Sequence, residues 1–399
     1  MIEVVAQVWL KKKAERPVAL RHPWIFSGAV ERIEGSAGPG DVVRVVDASG
    51  RFLAWGAYNP ASRIQVRLLD WDPEAVIDQG WWDARIEQAI TRRQNLTSRP
   101  GLSAYRLVFG EADFLPGLVV DWYNGFAVMQ ALTPLVNKLK HSLARTLHRL
   151  LGAQGVYERS PVENRVLEGM DPGQGVLSGS APPDLITIEE GGHRFLVNVL
   201  SGQKTGFFLD QRENRPVTAE YARGREVLDC FAYTNAFSVY SAKAGAKSII
   251  RVESSAEAVE LGQANLELND LAALPGQTIT GDVFRVLREF RDQHRSFDLI
   301  ILDPPRLAPT RAQAAKASRA YKDINLLALK LLRPGGILAT FSCSGGIPAD
   351  LFQKIIFGAG LDAGREVLIL KQLGQGPDHP VRLSFPESMY LKGLLCQVL

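Results

Sequence analysis

The sequence predicts an α/β protein: an open, mostly parallel sheet in the C-terminal half, preceded by a small β-rich module and a central α+β segment. Three observations predict it. From about residue 186 onward, short apolar runs alternate with helical stretches, the pattern of parallel strands joined by crossover helices. Several of those runs end in polar residues: Val227-Leu228-Asp229, Leu299–Leu302 before Asp303-Pro304-Pro305, and Phe341-Ser342-Cys343-Ser344-Gly345. Polar groups delivered by successive strand ends to one edge describe the working face of such a sheet. Finally, residues 1–73 carry apolar positions at strand spacing, broken by turns at Gly35–Gly40 and Asp47-Ala48-Ser49-Gly50.

Taken in order, Val4 to Leu10, Asp41 to Val46, Arg51 to Tyr58 and Ile64 to Leu69 read as strands of the β-rich module, 1–73. Trp81 to Leu96 places Trp82, Ile86, Ala89 and Ile90 on one helical face. Strand character returns from Arg106 to Ala131, and Val136 to Leu151 is an amphipathic helix, which sets a central α+β domain at 74–185. The last domain, 186–399, has strands at Glu226–Asp229, Ser248–Val252, Gln277–Thr280, Leu299–Leu302 and Gly336–Phe341, then a late pair near Val367–Leu370 and Tyr390–Val398. Helices fall between them at Ala256–Asn269, Val283–Gln293, Ala312–Leu332 and Ala349–Gly358.

Composition narrows the function classes. The 399 residues suffice for two or three domains, and 46% apolar with 22% charged residues is ordinary for a soluble globular protein. Net charge is only +3, so basicity is local: Lys11, Lys12, Lys13, Arg16 and Arg21 form one run, and Arg306, Arg311, Lys316, Arg319 and Lys322 another. Such runs are usually solvated faces, but the second flanks the expected working edge, which raises the nucleic-acid reading. Three cysteines exclude a disulfide framework and fit a reducing, cytoplasmic setting. No apolar stretch is long enough for a membrane span, and the N-terminus lacks a signal-peptide core. No metal-ligand cluster is expected.

The strand ends carry the candidate chemistry. Asp229 opens into Cys230-Phe231-Ala232-Tyr233-Thr234-Asn235-Ala236-Phe237 before a helix, where loop amides can meet an anionic group, although no glycine occurs between Leu228 and Gly245. The next strand ends in Glu253-Ser254, and an acidic residue there is the expected partner of a ribose hydroxyl pair. Asp282-Val283 follows the third strand, placed to accept from an adenine amine. Either carboxylate alone is as readily a helix N-cap; acidic positions at successive strand ends favour a nucleoside cofactor. Pro304 and Pro305 impose a rigid exit and hold Asp303 at the sheet edge. A free cysteine is most often a buried small hydrophobe, which suits Cys396 and Cys230. The small polar neighbours of Cys343 instead describe an exposed loop and a nucleophile.

Together these residues resemble the class I S-adenosylmethionine-dependent methyltransferases, of Rossmann-like fold. Nearly the whole chain resembles the RlmI-like ribosomal RNA cytosine-5 methyltransferases, which carry an N-terminal PUA domain. The resemblance is carried by Gly202 to Arg212, Asp229 to Thr234, Phe297 to Pro305, Tyr321-Lys322-Asp323-Ile324-Asn325 and Phe341 to Gly345. Gly110 to Leu118 is similar to the family's middle domain and His22-Pro23-Trp24-Ile25-Phe26 to its PUA module. The resemblance implies S-adenosyl-L-methionine as cofactor, held by Asp229, Phe231, Tyr233, Thr234, Asn235, Ala236, Phe237, Glu253, Ser254, Asp282, Val283 and Asp303. It implies 23S ribosomal RNA as partner and substrate, met by Lys204, Thr205, Gln211, Arg212, Pro304, Pro305, Arg306, Tyr321 and Lys322. It implies Cys343 as nucleophile, Asp303 at the cytosine ring, and a homodimer.

Three positions depart from the family pattern. Asn235 and Ala236 stand where the family usually has two glycines, and Arg306 where a lysine is common after Asp-Pro-Pro. Asparagine tolerates a left-handed backbone; alanine adds a methyl group near the expected cofactor. Uracil-5 methylation would use the same thiolate logic, so Cys343 argues only against methylation of a ring or exocyclic nitrogen. A non-catalytic RNA-binding protein with a decayed cofactor site is the reading of another class, and cofactor binding separates the two.

Overall fold

The structure, a computed structural model, describes residues 6–308 and 313–399. The start of the expected first strand, Val4, and the basic residue Arg311 lie outside the described residues. The chain divides into two compact units. The first takes in the chain up to Ile188, with Val197–Phe207 and Asp378–Ser388; the second comprises Glu189–Leu196, Phe208–Pro377 and Met389–Leu399. Two stretches inside 186–399 therefore pack with the first unit.

The first unit begins with a six-stranded sheet: β1 (Ala6–Leu10), β2 (Trp24–Phe26), β3 (Val30–Gly35), β4 (Val42–Val46), β5 (Phe52–Tyr58) and β6 (Ile64–Asp70), with the short helix α1 (Arg16–Ala19) between β1 and β2. Val8, Leu10, Val43, Val45, Ala54, Val66 and Leu68 alternate into one core, as strand periodicity requires. After α2 (Gln79–Thr97) comes a five-stranded sheet: β7 (Ala104–Phe109), β8 (Leu118–Tyr123), β9 (Phe126–Ala131), β10 (Gly155–Ser160) and β11 (Gly173–Gly179), with α3 (Pro134–Leu151) before β10 and α4 (Val162–Leu167) after it. Asp78 caps α2 by accepting from Trp81 N, and α3 starts at the Thr133 cap with proline in its first turn and stops at Gly152 in the left-handed region.

Asp378–Ser388 is built into this unit by buried polar contacts. Arg93 donates to the Asp378 carbonyl at 2.9 Å, and the Arg106 amide donates to the Asp378 carboxylate at 2.9 Å. Arg382 donates to the carbonyls of Glu111 and Arg21. The Phe385 ring meets the Trp24 ring edge-on, centroids 4.6 Å apart.

A two-stranded hairpin follows, β12 (Ile186–Glu190) and β13 (His193–Val197), then α5 (Asn214–Ala219). The second unit is organised on a seven-stranded sheet: β14 (Glu226–Cys230), β15 (Ser248–Glu253), β16 (Gly276–Thr280), β17 (Phe297–Leu302), β18 (Leu332–Ser342), β19 (Val367–Gly374) and β20 (Lys392–Val398). Helices α6 (Ala236–Lys243), α7 (Ala256–Leu268), α8 (Val283–Asp292), α9 (Ala314–Leu331) and α10 (Ala349–Ala363) connect them. The order is β16-β15-β14-β17-β18-β20-β19, parallel from β16 to β18, with β20 antiparallel to both neighbours. The strands at its centre are apolar on both faces because helices cover both. Leu228, Ile300 and Leu302 join the core under α8, α9 and α10, while Val227, Leu299 and Ile301 face the opposite core with Phe237. Strand order reverses between β14 and β17, and in open α/β sheets ligands bind outside the carboxyl ends of the strands at that reversal.

Candidate functional site

The loop leaving β14 solves without glycine a problem that usually takes several. Phe231, Tyr233 and Asn235 adopt left-handed backbone, with φ of 61°, 47° and 66°. Asn235 is the N-cap of α6, so Ala236, the first helical residue, needs no glycine. The backbone therefore makes the tight turn that the family pattern assigns to glycines, while holding two bulky residues in a strained region. Side chains brace it: Tyr233 stacks edge-on against Phe208 at 5.1 Å, Phe237 packs on Phe341 at 5.6 Å, and Asn265 of α7 donates to the Thr234 carbonyl at 3.0 Å.

Asp229 is buried beneath this loop, where it accepts a 2.7 Å hydrogen bond from Ser238 Oγ. Burial pushes its carboxyl up to about 6. Glu253, at the end of β15, is the clamp. Its Oε2 accepts the Tyr233 amide at 2.9 Å, and its Oε1 accepts the amides of Ser254 and Ser255 at 2.7 and 2.9 Å. Asp282 caps α8 by accepting from Arg285 N at 2.9 Å, with its side chain otherwise exposed and Val283 buried behind it. A carboxylate offers about four acceptor positions. Glu253 Oε2 and Asp282 thus retain acceptor capacity at consecutive strand ends, so the residues fit an adenosine-bearing cofactor.

The stretch up to Ala308 that follows β17 is tied to the loop after β18. Tyr321 of α9 is fully buried; its hydroxyl lies 3.0 Å from Ser342 Oγ and 2.9 Å from Ser344 Oγ. Ser344 Oγ in turn accepts the Ala308 amide at 3.0 Å. The loop that carries Asp303, Pro304 and Pro305 and the loop that carries Cys343 are thereby joined at Ala308 and Ser344. Cys343 is half-buried, while Cys230 and Cys396 are fully buried. Burial pushes the Cys230 thiol well up and the Cys396 thiol to about 12, so neither is a ready nucleophile. A cation at this edge that sequence reasoning missed is Lys392, which opens β20 opposite Ser342 and donates to the Ser344 carbonyl at 2.7 Å.

Several residues expected at the RNA do other work. Tyr321 is not a surface contact but the buried pin just described. Lys322 pairs with Asp362 of α10 at 2.8 Å. Gln211 and Arg212 are buried: Asn214 donates to Gln211 Oε1 at 2.6 Å, and Arg212 lies 3.6 Å from Glu190, which also pairs with Arg215. Lys204 and Thr205 belong to the first unit, where the buried Thr205 hydroxyl donates to Asp121 at 2.6 Å. Arg306 is exposed, its guanidinium 3.4 Å from where a side chain at Gly345 would begin. Among the described residues no group of three metal-ligating side chains converges, and no helix is long and apolar enough to cross a membrane.

This sheet order and strand-end chemistry define a nucleoside-cofactor transferase, and comparison with known proteins gives the class. Residues 106–357 match the S-adenosylmethionine-dependent methyltransferase family, and residues 8–71 match the PUA-like domain. Two solved structures share the whole fold at 22% identity: a SAM-dependent methyltransferase from Streptococcus mutans (TM-score 0.85, 98% of this chain and 100% of that one) and a methyltransferase complexed with SAH (TM-score 0.86, 100% of both). The chain is 44% identical over 390 residues to "Ribosomal RNA large subunit methyltransferase I" of Cronobacter sakazakii, and 43% identical to the protein of that name from Enterobacter sp., covering 98% of each chain. It belongs to this family of S-adenosylmethionine-dependent methyltransferases, with a PUA-like N-terminal domain.

Proposed function

We propose that the enzyme methylates carbon 5 of a cytosine in 23S ribosomal RNA through a covalent adduct with Cys343. The observation that carries the proposal is the placement of a half-buried thiol, Cys343, on the β18 loop that Tyr321 and Ser344 fasten to the Asp303-Pro304-Pro305 loop. The names of the relatives point to large-subunit RNA as substrate. The PUA-like module, basic at Lys11–Lys13, supports RNA binding by residues 1–73.

When bound, S-adenosylmethionine supplies an electrophilic methyl group; Glu253 and Asp282 would hold its ribose and adenine, and Phe231 to Phe237 its methionine part. Carbon 5 of cytosine is too poor a nucleophile to accept that methyl unaided. Addition of the Cys343 thiolate at carbon 6 makes carbon 5 enamine-like. Asp303, hydrogen-bonding or donating a proton at ring nitrogen 3, stabilises the charge that addition pushes into the ring. Carbon 5 then takes the methyl group as the methyl–sulfur bond breaks, releasing the demethylated cofactor; the carbon 5 proton passes to water and the thiolate departs, which restores the aromatic ring. A ring sandwiched in this way must leave its stack, so the target is unpaired or flipped.

The test is trapping. RNA carrying 5-fluorocytosine should form a denaturation-resistant adduct at Cys343, because fluorine cannot leave as a proton does, and 5-fluorouracil RNA should not be trapped. C343A should lose methyl transfer and keep cofactor binding; C230A and C396A should keep transfer. Methylation by C343A at near the wild-type rate, or a trapped peptide containing Cys230, would overturn the assignment.

A further inference from the structure

Lys392 is in an unusual place for a lysine. It begins a strand that is otherwise buried save for Gln397, Gly393 to Val398, and pairs with Ser342 on one side and Gly374 on the other. At the next residue a side chain at Gly393 would come within 2.4 Å of the Phe341 ring, so that ring lies over the backbone of β20 where it pairs with β18. The ammonium reaches over the end of β18 and donates to the carbonyl of Ser344, the residue that follows Cys343. Among the described residues, the charged or titratable groups it feels are Cys343 and, from the β17 loop, Arg306; Gly374 across the sheet carries none.

We propose that Lys392 is the positioning residue that keeps Cys343 reactive, holding the β18 loop through the Ser344 carbonyl and stabilising the thiolate by its charge. This rests on the reading of Cys343 as nucleophile. The proton balance is simple: the thiol S–H bond breaks, the proton passes to water, and the thiolate is left paired with the Lys392 ammonium. When the thiolate leaves the product ring, the pair is restored. Burial among these groups lowers the lysine to about 8, with Arg306 adding to the fall and Cys343 opposing it. At neutral pH the amine is therefore still largely protonated and supplies the charge.

The experiment measures alkylation of the intact protein by iodoacetamide across pH, without RNA or cofactor. Cys230 and Cys396 are fully buried, so the modified residue is Cys343, confirmed by loss of labelling in C343A. K392M should move the alkylation midpoint up by about one pH unit and slow labelling at neutral pH by about tenfold. K392R should restore the midpoint, and cofactor binding should be unchanged in both. An unmoved midpoint in K392M, or one that K392R fails to bring back, overturns the role of Lys392. Methyl transfer by C343A overturns instead the reading on which it rests, so the two failures are distinguishable.

Discussion

The side-chain amide of Asn235 fills the space that any side chain at Gly262 would need: a Cβ there would lie 2.6 Å from Asn235 Nδ2. The loop that departs from its family's glycine pattern is thus matched by a missing side chain on α7. G262A should destabilise the protein by roughly 1–3 kcal/mol through overpacking. N235G, which accepts the same left-handed φ, should recover most of that loss in the double variant. Urea denaturation of the four proteins checks it; additive effects would show that the two positions are not coupled.

Glu253 holds the loop through the Tyr233 amide and accepts the Ser254 and Ser255 amides beside it, so its removal frees Tyr233 as well as taking away an acceptor. E253A should weaken S-adenosylmethionine binding by roughly 1–3 kcal/mol in isothermal titration. Wild-type affinity in E253A would mean that this carboxylate does not serve the cofactor.

Asp229 gives a pH signature. Its folded carboxyl keeps a proton up to about pH 6, whereas the unfolded chain releases it near the ordinary carboxylate value. The stability this confers is complete below the unfolded pKa and is lost as pH rises through about 6. D229N can still accept from Ser238 and never ionises, so between about pH 4 and pH 7 it should gain on wild type by roughly 2–3 kcal/mol. Asp47 and Glu226, both lowered to about 2 by hydrogen bonds from Ser49 and from Lys247, act in the opposite sense in both proteins and cancel in the difference. A difference independent of pH would refute the raised carboxyl.

Tyr321→Phe removes the hydroxyl between Ser342 and Ser344 and leaves the ring in place. The expected loss of stability is about 1–2 kcal/mol for buried hydroxyls deprived of a partner. If the tie orients the thiol, the turnover rate should fall while cofactor affinity stays, which single-turnover assays and titration separate.

Lys12 and Lys13 are exposed in the PUA-like module. Their replacement by glutamine should lower the slope of log affinity for RNA against log salt by about one for each phosphate no longer neutralised, with cofactor binding intact. An unchanged slope across a salt series would mean that other residues meet the RNA.

How much of this was readable in the chain follows from which forces are local. Short apolar runs alternating with helical stretches located the strands of the parallel sheet, because central strands buried on both faces read as continuous apolar runs between crossover helices. Tyr321 could have been assigned to the core from sequence: Ala317, Tyr321, Ile324 and Ala328 form a stripe at helical spacing, and all four are buried. Lys392 could not. Its nearness to Cys343 depends on an antiparallel register between strands separated by a helix and a further strand, which no local pattern encodes. The left-handed loop was equally hidden, since Phe231 and Tyr233 carry no propensity for it and the surrounding contacts impose it.

The stretch Asp378–Ser388 comes late in the chain yet belongs to the first unit, where it supplies the carbonyl for Arg93, the carboxylate for the Arg106 amide and the ring against Trp24. During vectorial synthesis this first unit therefore waits for almost the last segment of the chain, which clears the ribosome only after β20 has been made. Completion of the N-terminal half is a post-translational event, and a nascent chain stalled before Asp378 should stay protease-sensitive around Arg93 and Arg106.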